Sequence, residues 1–390
     1  MKVSLRARPR SSLLSASIVL AATWALLPST PVDAVQAARV QTSGRAELQS
    51  TIWRPNGTVH VLARTRTRVY LGGEFTGMTS PDGRQGVRNV RVAALKRSTG
   101  QLVRTFHARV NGTVRAMAVL DHRLYIGGDF TRVGDSSRRH LAALNLRTGH
   151  LVRGWKMQVD GPVLALLPMR GRLYVGGNFG QAGEFARDKL FALTGRGRMV
   201  DGWPALDTGT NGGAYVLAAT HDRTAVIVGG AFHTLVGQPR TFLGSITTDG
   251  QATAWAPRPM CTTNCFVKSL AVTGTRVFAG IAGPGGHAAA YGFRHGQTVW
   301  KVKTSGDVTA VLLDGRHLLL GGHFEFVSHR PRTMFAEVRA RSGAVLTRRL
   351  TTAGHHYPGI LAMEMVRGVA LLAGAFDDVS GQRHLAVVRP

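Results

Sequence analysis

The octapeptide Arg123-Leu124-Tyr125-Ile126-Gly127-Gly128-Asp129-Phe130 decides the fold, because copies of it run the length of the chain. Close copies stand at 68–75, 172–179, 225–232 and 317–324, and worn ones at 277–280 and 370–376. Counted at residues 73, 128, 177, 230, 280, 322 and 374, the copies lie 42 to 55 residues apart. Such a period belongs to an array of units sharing one core. The 390 residues therefore read as a single repeat domain rather than the two or three that length alone suggests.

Each unit holds four short apolar stretches divided by turn residues, which is the strand pattern of a propeller blade. In unit two these are 114–120, 124–128, 140–146 and an outer stretch beginning at 151–155, with turns at Asp121-His122 and Arg147-Thr148-Gly149. The expected fold is all-β: a seven-bladed β-propeller with four antiparallel strands per blade. The units fall at 58–110, 111–160, 161–210, 211–260, 265–303, 304–352 and 357–390. The seventh unit stops at its third strand, 384–388, and the missing fourth is expected from 46–54, where Trp53 matches the aromatic that ends other units. That closure removes two sheet edges that would otherwise be open to aggregation. The Gly pair is expected where backbones approach closely. Phe75, Phe130, Phe179, Phe232, Phe324 and Phe376, with Phe106, Trp155, Trp203, Trp255 and Trp300, are expected as packing between blades.

Residues 1–37 read as a secretory signal peptide: Lys2, Arg6, Arg8 and Arg10, an apolar run over 13–27, and Val35-Gln36-Ala37 before the cleavage point. The run is shorter than the roughly 20 residues needed to span a bilayer, so no transmembrane segment is expected in the mature chain. The protein is expected outside the cytoplasm, with cell-wall association open, and as a monomer. Cys261 and Cys265, the only cysteines, then read as a structural disulfide. A redox Cys-x-x-Cys does not fit their spacing, and no paired histidines complete a zinc site.

Net charge is +28, and only seven of the 49 basic residues are lysine. This bias fits a GC-rich, actinobacterial source as readily as selection, but either way it attracts polyanions. No helical reader, zinc motif or aromatic-basic sheet signature accompanies it, so specific nucleic-acid binding is not expected.

The repeated Tyr-(Ile/Val)-Gly-Gly-(Asp/Glu/Asn)-Phe unit, with its later Leu-Ala-Ala-Leu, Thr-Gly and Trp, resembles the Gly-Gly-Asp-Phe propeller repeats of exported bacterial proteins. These are also called delta-60 repeats, and they sit in a kelch-like, quinoprotein-like superfamily. The likeness covers 58–390 and implies a propeller outside the cytoplasm without an agreed chemistry. Kelch-type copper oxidases need a cross-linking Cys on the axis, which the adjacent pair cannot supply. Quinoprotein docking turns place Trp four residues after Gly; Gly149 to Trp155 is six, and only Gly296 to Trp300 fits. A quinone-dependent oxidoreductase is thus a remote alternative, and no cofactor is expected.

Function is expected on the loop face, where outer-to-inner and second-to-third strand loops gather. The candidate binding residues are Arg138, Arg139, His140, Arg187, Lys189, Arg330, Arg332, His355, His356, Tyr357, Arg383 and His384. Arginine suits bidentate capture of carboxylate or phosphate. The expected function is a non-catalytic scaffold binding anionic envelope polymers or a secreted protein partner. The alternative is a lyase or hydrolase of acidic glycans using His355, His356 and Tyr357 as proton carriers; the chain has no Gly-x-Ser-x-Gly elbow for a serine hydrolase.

Overall fold

The computed structural model describes residues 48–88, 90–200, 212–258, 265–284, 286–293, 295–350, 352–353 and 357–389. The signal segment, Trp203, Cys261, His355 and His356 lie outside the described residues. Cys265 is buried, but the expected bridge rests on its partner.

The repeats fold as antiparallel sheets. The second unit pairs Val114–Leu120 with Arg123–Gly128, and that strand with Leu141–Asn145. The other inner strands are Val59–Arg64, Val163–Met169, Gly213–Ala219, Phe266–Val272, Asp307–Asp314 and Gly359–Val366. Each packs beside the next in chain order, and Gly359–Val366 also packs beside Val59–Arg64. This is the arrangement of a β-propeller.

The repeated glycines have separate tasks. At the first, a Cβ on Gly127 would lie 2.4 Å from Val163 Cγ1 of the next sheet, and the same conflict recurs between Gly72 and Val114 and between Gly229 and Val267. At the second, a Cβ on Gly128 would lie 2.1 Å from the Thr113 carbonyl of its own sheet. The second glycine sits opposite Val114, where the inner strand bulges before pairing resumes at Ala116. One glycine sets the distance between sheets; the other makes room for a bulge.

Polar groups of the same motif also cross the junction. Tyr70 Oη donates to the Leu146 carbonyl at 2.8 Å, and Tyr125 Oη to the Gly195 carbonyl at 2.7 Å. Arg68, Arg123, Arg172 and Arg276 donate to the same kind of turn carbonyl in the following sheet. Arg367 of the seventh sheet reaches the Ser98 carbonyl of the first at 2.8 Å, and Arg64 pairs with Glu364 at 2.7 Å. The expected interface aromatics are buried between sheets: Phe106 meets Tyr70 edge-on at 5.5 Å, as Trp155 meets Tyr125.

Two expectations change. Four strands per blade holds among the described residues only in the fifth sheet, which adds Thr298–Lys303. Elsewhere the outer strand shrinks to one bridge, as at Leu144–Leu151 or Val338–Val345. The chain turns again at once, Trp155 N donating to Val152 O at 3.0 Å, which carries the Trp into the junction and cuts the strand short. The expected outer strand of the seventh blade, residues 46–54, is not formed by its described part, residues 48–54, either. Residues 48–51 make one helical turn. Trp53 N donates to Gly100 O, and Arg54–Pro55 pairs with Gly77–Thr79, so this backbone bonds to the first sheet. Its side chains Leu48, Ile52 and Trp53 pack with Val366, Leu371 and Val387 of the seventh. The aromatic bridges the junction as expected while its backbone follows the rule of the other junctions, where His107 N bonds Thr148 O of the next sheet.

Replacing Gly128 by Ala should cost about 3 kcal/mol or more, because the clash is with backbone rather than a side-chain tip. Gly134→Ala, at φ +56° with nothing within 4 Å, should cost only the ~1–2 kcal/mol of a left-handed residue. Urea unfolding of the two variants checks the ranking, and equal losses would refute the bulge account.

Candidate functional site at the axial mouth

Every inner strand bulges after its first or second residue, and the extra residue is of six types in seven sheets. The seven are His60, Arg115, Leu164, Tyr215, Lys268, Thr309 and Leu361. All seven line one cavity of about 500 Å³, together with Thr58, Glu74, Phe266, Asp307, Tyr357, Pro358 and Ala375. A bulge re-aims a side chain out of the sheet's alternation. Here the device delivers one chosen residue per sheet to a common mouth.

The residue following the Gly pair faces this bulge. Glu74 Oε1 accepts from His60 Nε2 at 2.7 Å, and Asp129 Oδ2 accepts from Arg115 Nε at 2.7 Å. The fifth sheet breaks the pattern: its bulge carries Lys268, but the matching position holds Ala282, next to Ile281 in place of the second glycine. Lys268 Nζ instead stands over the rings of Tyr215, at 4.7 Å, and Phe266, at 5.0 Å. Among the described residues the ammonium has no hydrogen-bonding carboxylate. Asp307, also in the mouth, accepts from Gly283 N at 2.8 Å.

These surroundings shift the titrations. Solvent reaches Lys268 from the opening, but the crowded walls make charging it costly, and nearby Arg115 adds to that. Its pKa falls below the ordinary lysine value even though Asp307 opposes the shift. Burial likewise lowers His60, against the hydrogen bond it makes to Glu74, and raises the Tyr215 phenol. At neutral pH the mouth thus holds a neutral imidazole, a charge-paired Arg115, and an amine on an aromatic wall. Tyr357 stands at the entrance, 72% exposed, its ring edge-on to His323 at 5.4 Å.

The structure redistributes the residues singled out by sequence. Among the described ones, Tyr357 alone lines the mouth. Arg138 donates to the carbonyls of Ser137 and Arg153, Arg187 to that of Ala186, and Arg332, buried, to that of Pro331. Arg330 caps Val345 O at 3.1 Å. These guanidinium groups fasten loops within their own sheets. His140, Lys189 and His384 occupy one repeated left-handed position (φ 62°, 64° and 57°) that starts each third strand. Lys189 also meets Asp188 at 3.1 Å. Arg139 and Arg383 are exposed. Sequence reasoning missed the bulge residues because an inserted residue looks like a slip in alternation. The signal was present: aligned on the Gly pair, this position alone varies among His, Arg, Leu, Tyr, Lys and Thr within apolar strands.

Neither a protein-family model nor a curated protein matches the chain. Solved structures are similar in fold. U3-55K superposes with a TM-score of 0.58 at 9% identity, covering 87% of this chain and 98% of that one. The computationally designed Ika8 protein gives 0.51 at 13% identity, covering 88% and 100%. The WD40 β-propeller domain of Doa1 gives 0.48 at 12% identity, covering 84% and 93%. At these identities the likeness concerns fold alone. Among the described residues no helix is long and apolar enough to cross a membrane.

The lowered His60 pKa gives a signed prediction. Between that pKa and about 6.5 the unfolded chain binds more protons at this site than the folded one, so stability falls as pH drops through the window. His60→Gln keeps a donor for Glu74 and removes the titration. Its stability should fall less steeply on acidification than that of the wild type in urea unfolding at several pH values. Parallel curves would contradict the reading.

Proposed function

We propose that the seven sheets close as a seven-bladed ring, and that the protein is an exported, non-catalytic scaffold whose axial mouth binds an acidic glycan of the cell envelope. The export reading is supported by residues 1–37 and the likeness to exported Gly-Gly-Asp-Phe repeats. The observation that carries the ligand class is Lys268, a cation without a carboxylate partner on the wall formed by Tyr215 and Phe266. A sugar ring stacks on such aromatic faces, while its carboxylate takes the ammonium. His60 and Glu74, which also line the mouth, remain to exchange hydrogen bonds with hydroxyls. A secreted protein partner, the other ligand first expected, would find in this mouth only a narrow socket.

A second reading has one observation in its favour. A neutral imidazole hydrogen-bonded to Glu74, in the same mouth as a lysine whose pKa is lowered by burial, is a pair of groups that can exchange protons with a substrate. This moves the glycan-lyase alternative from His355 and His356 to His60 and Lys268.

Titration calorimetry with a uronate tetrasaccharide tests both. Binding should weaken with salt, and Lys268→Met, which keeps the stem's bulk, should weaken it at least about tenfold. The sugar should be recovered intact; cleavage would favour the enzyme. Unchanged affinity in Lys268→Met, with loss on neutralising Arg139 and Arg383 together, would return the site to the rim and overturn the proposal.

A further inference from the structure

The end of the molecule opposite the mouth carries a second feature, independent of the axial reading. Each inner strand runs away from its bulge to a tight turn, and between the turns of the fifth and sixth sheets lies a cleft of about 930 Å³. Arg276, Arg316, Arg339 and Arg341 line it with His317, and no carboxylate does. Arg276 is fixed, its Nη1 donating to the carbonyls of Ala340 at 2.9 Å and Arg341 at 2.7 Å. Among the described residues the other three guanidinium groups have no hydrogen bond or ion pair, and all three residues are exposed. The nearby Glu337 is already engaged: it is buried and accepts from His317 Nδ1 at 2.6 Å.

The junction between the third and fourth sheets is built differently, although Arg147 and Arg196 hold the place of Arg341 in the second and third sheets. The turn after the third strand of the fourth sheet holds Asp249, whose charge reaches Tyr174 and Arg172 of the third sheet; the equivalent turn of the sixth sheet holds Arg341. The turn after the inner strand carries Asp222 beside Arg223 in the fourth sheet, and Asp314 with Arg316 in the sixth, where Asp314 lies outside the cleft lining. Four like charges around one concavity repel each other until an anion enters. Planar guanidinium forks match the paired oxygens of a phosphate, and the volume suits several linked phosphates rather than one.

We propose that this cleft is a binding site for a linked phosphate chain, whether phosphoanhydride or phosphodiester. It would give the scaffold a second anchor, at the opposite end from its glycan mouth.

The test is titration calorimetry of the whole protein with tripolyphosphate, with a poly(glycerol phosphate) oligomer, and with citrate as a carboxylate of comparable charge. Both phosphate probes should bind, or either alone, which would name the linkage preferred; citrate should bind at least about tenfold more weakly. Arg316→Gln combined with Arg341→Gln should cost tenfold or more. Arg196→Gln with Arg198→Gln, on the same end of the third sheet, should leave affinity unchanged, as should Lys268→Met. Equal losses in the two arginine pairs, citrate binding as tightly as phosphate, or no binding by either phosphate probe would each overturn the site. Failure here leaves the axial reading untouched, because the Lys268 variant reports on that separately.

Discussion

The structure depends on how closely each sheet can approach the next, and one missing methyl group sets that distance. The first glycine of the repeated pair leaves space for the branched residue that begins the following inner strand, as Val163 fills the space above Gly127. Given that approach, the Tyr and Arg two and four residues earlier in the motif reach turn carbonyls across the junction. Backbone oxygens at the turn would otherwise be buried without partners, which is costly. Apolar contact and polar satisfaction are therefore achieved by the same short stretch. That explains why the stretch recurs so faithfully while the loops around it vary.

The second glycine connects architecture to function. It tolerates the bulge of the inner strand, and the bulge lifts one side chain per sheet out of the regular alternation into the mouth. Repetition thus supplies seven equivalent pedestals, and the residue on each is free to differ. Glu74 and Asp129 follow the Gly pair because they serve His60 and Arg115; where the bulge carries Leu361, the matching position is Ala375. The fifth sheet is the exception: a charged bulge residue faces Ala282, and its ammonium stands over the rings of Tyr215 and Phe266.

The fold was legible because its signal repeats. Tyr125, Gly127, Gly128 and Phe130 mean little once, but seven times at a fifty-residue period they specify an all-β array, and strand limits in unit two followed closely. The outer strands were misread because Leu151 and Val152 look apolar enough to continue, whereas the need to place Trp155 in the junction ends the strand after one bridge. Trp53 was correctly matched to the other aromatics, yet its backbone partner was not visible in a pattern of side chains. For the site, sequence drew attention to the charge at the rim. Arg138, Arg187 and Arg332 look like ligand-binding groups in sequence and prove to be loop fasteners, since sequence does not show which carbonyls lie within reach. Tyr357 was legible as a loop residue, whereas the bulge residues that share its cavity were hidden inside strands.

At the mouth, Lys268 rather than the arginines of the rim is the cation proposed to meet the glycan. Selective observation of lysine side-chain ammonium and Cε signals in isotopically labelled protein addresses this directly. Lying over Tyr215 and Phe266, the Lys268 signal should be displaced by ring currents and should titrate below the others. Adding a uronate oligosaccharide should move that signal first and raise its pKa. A Lys268 resonance that stays still while rim signals respond would contradict the central claim.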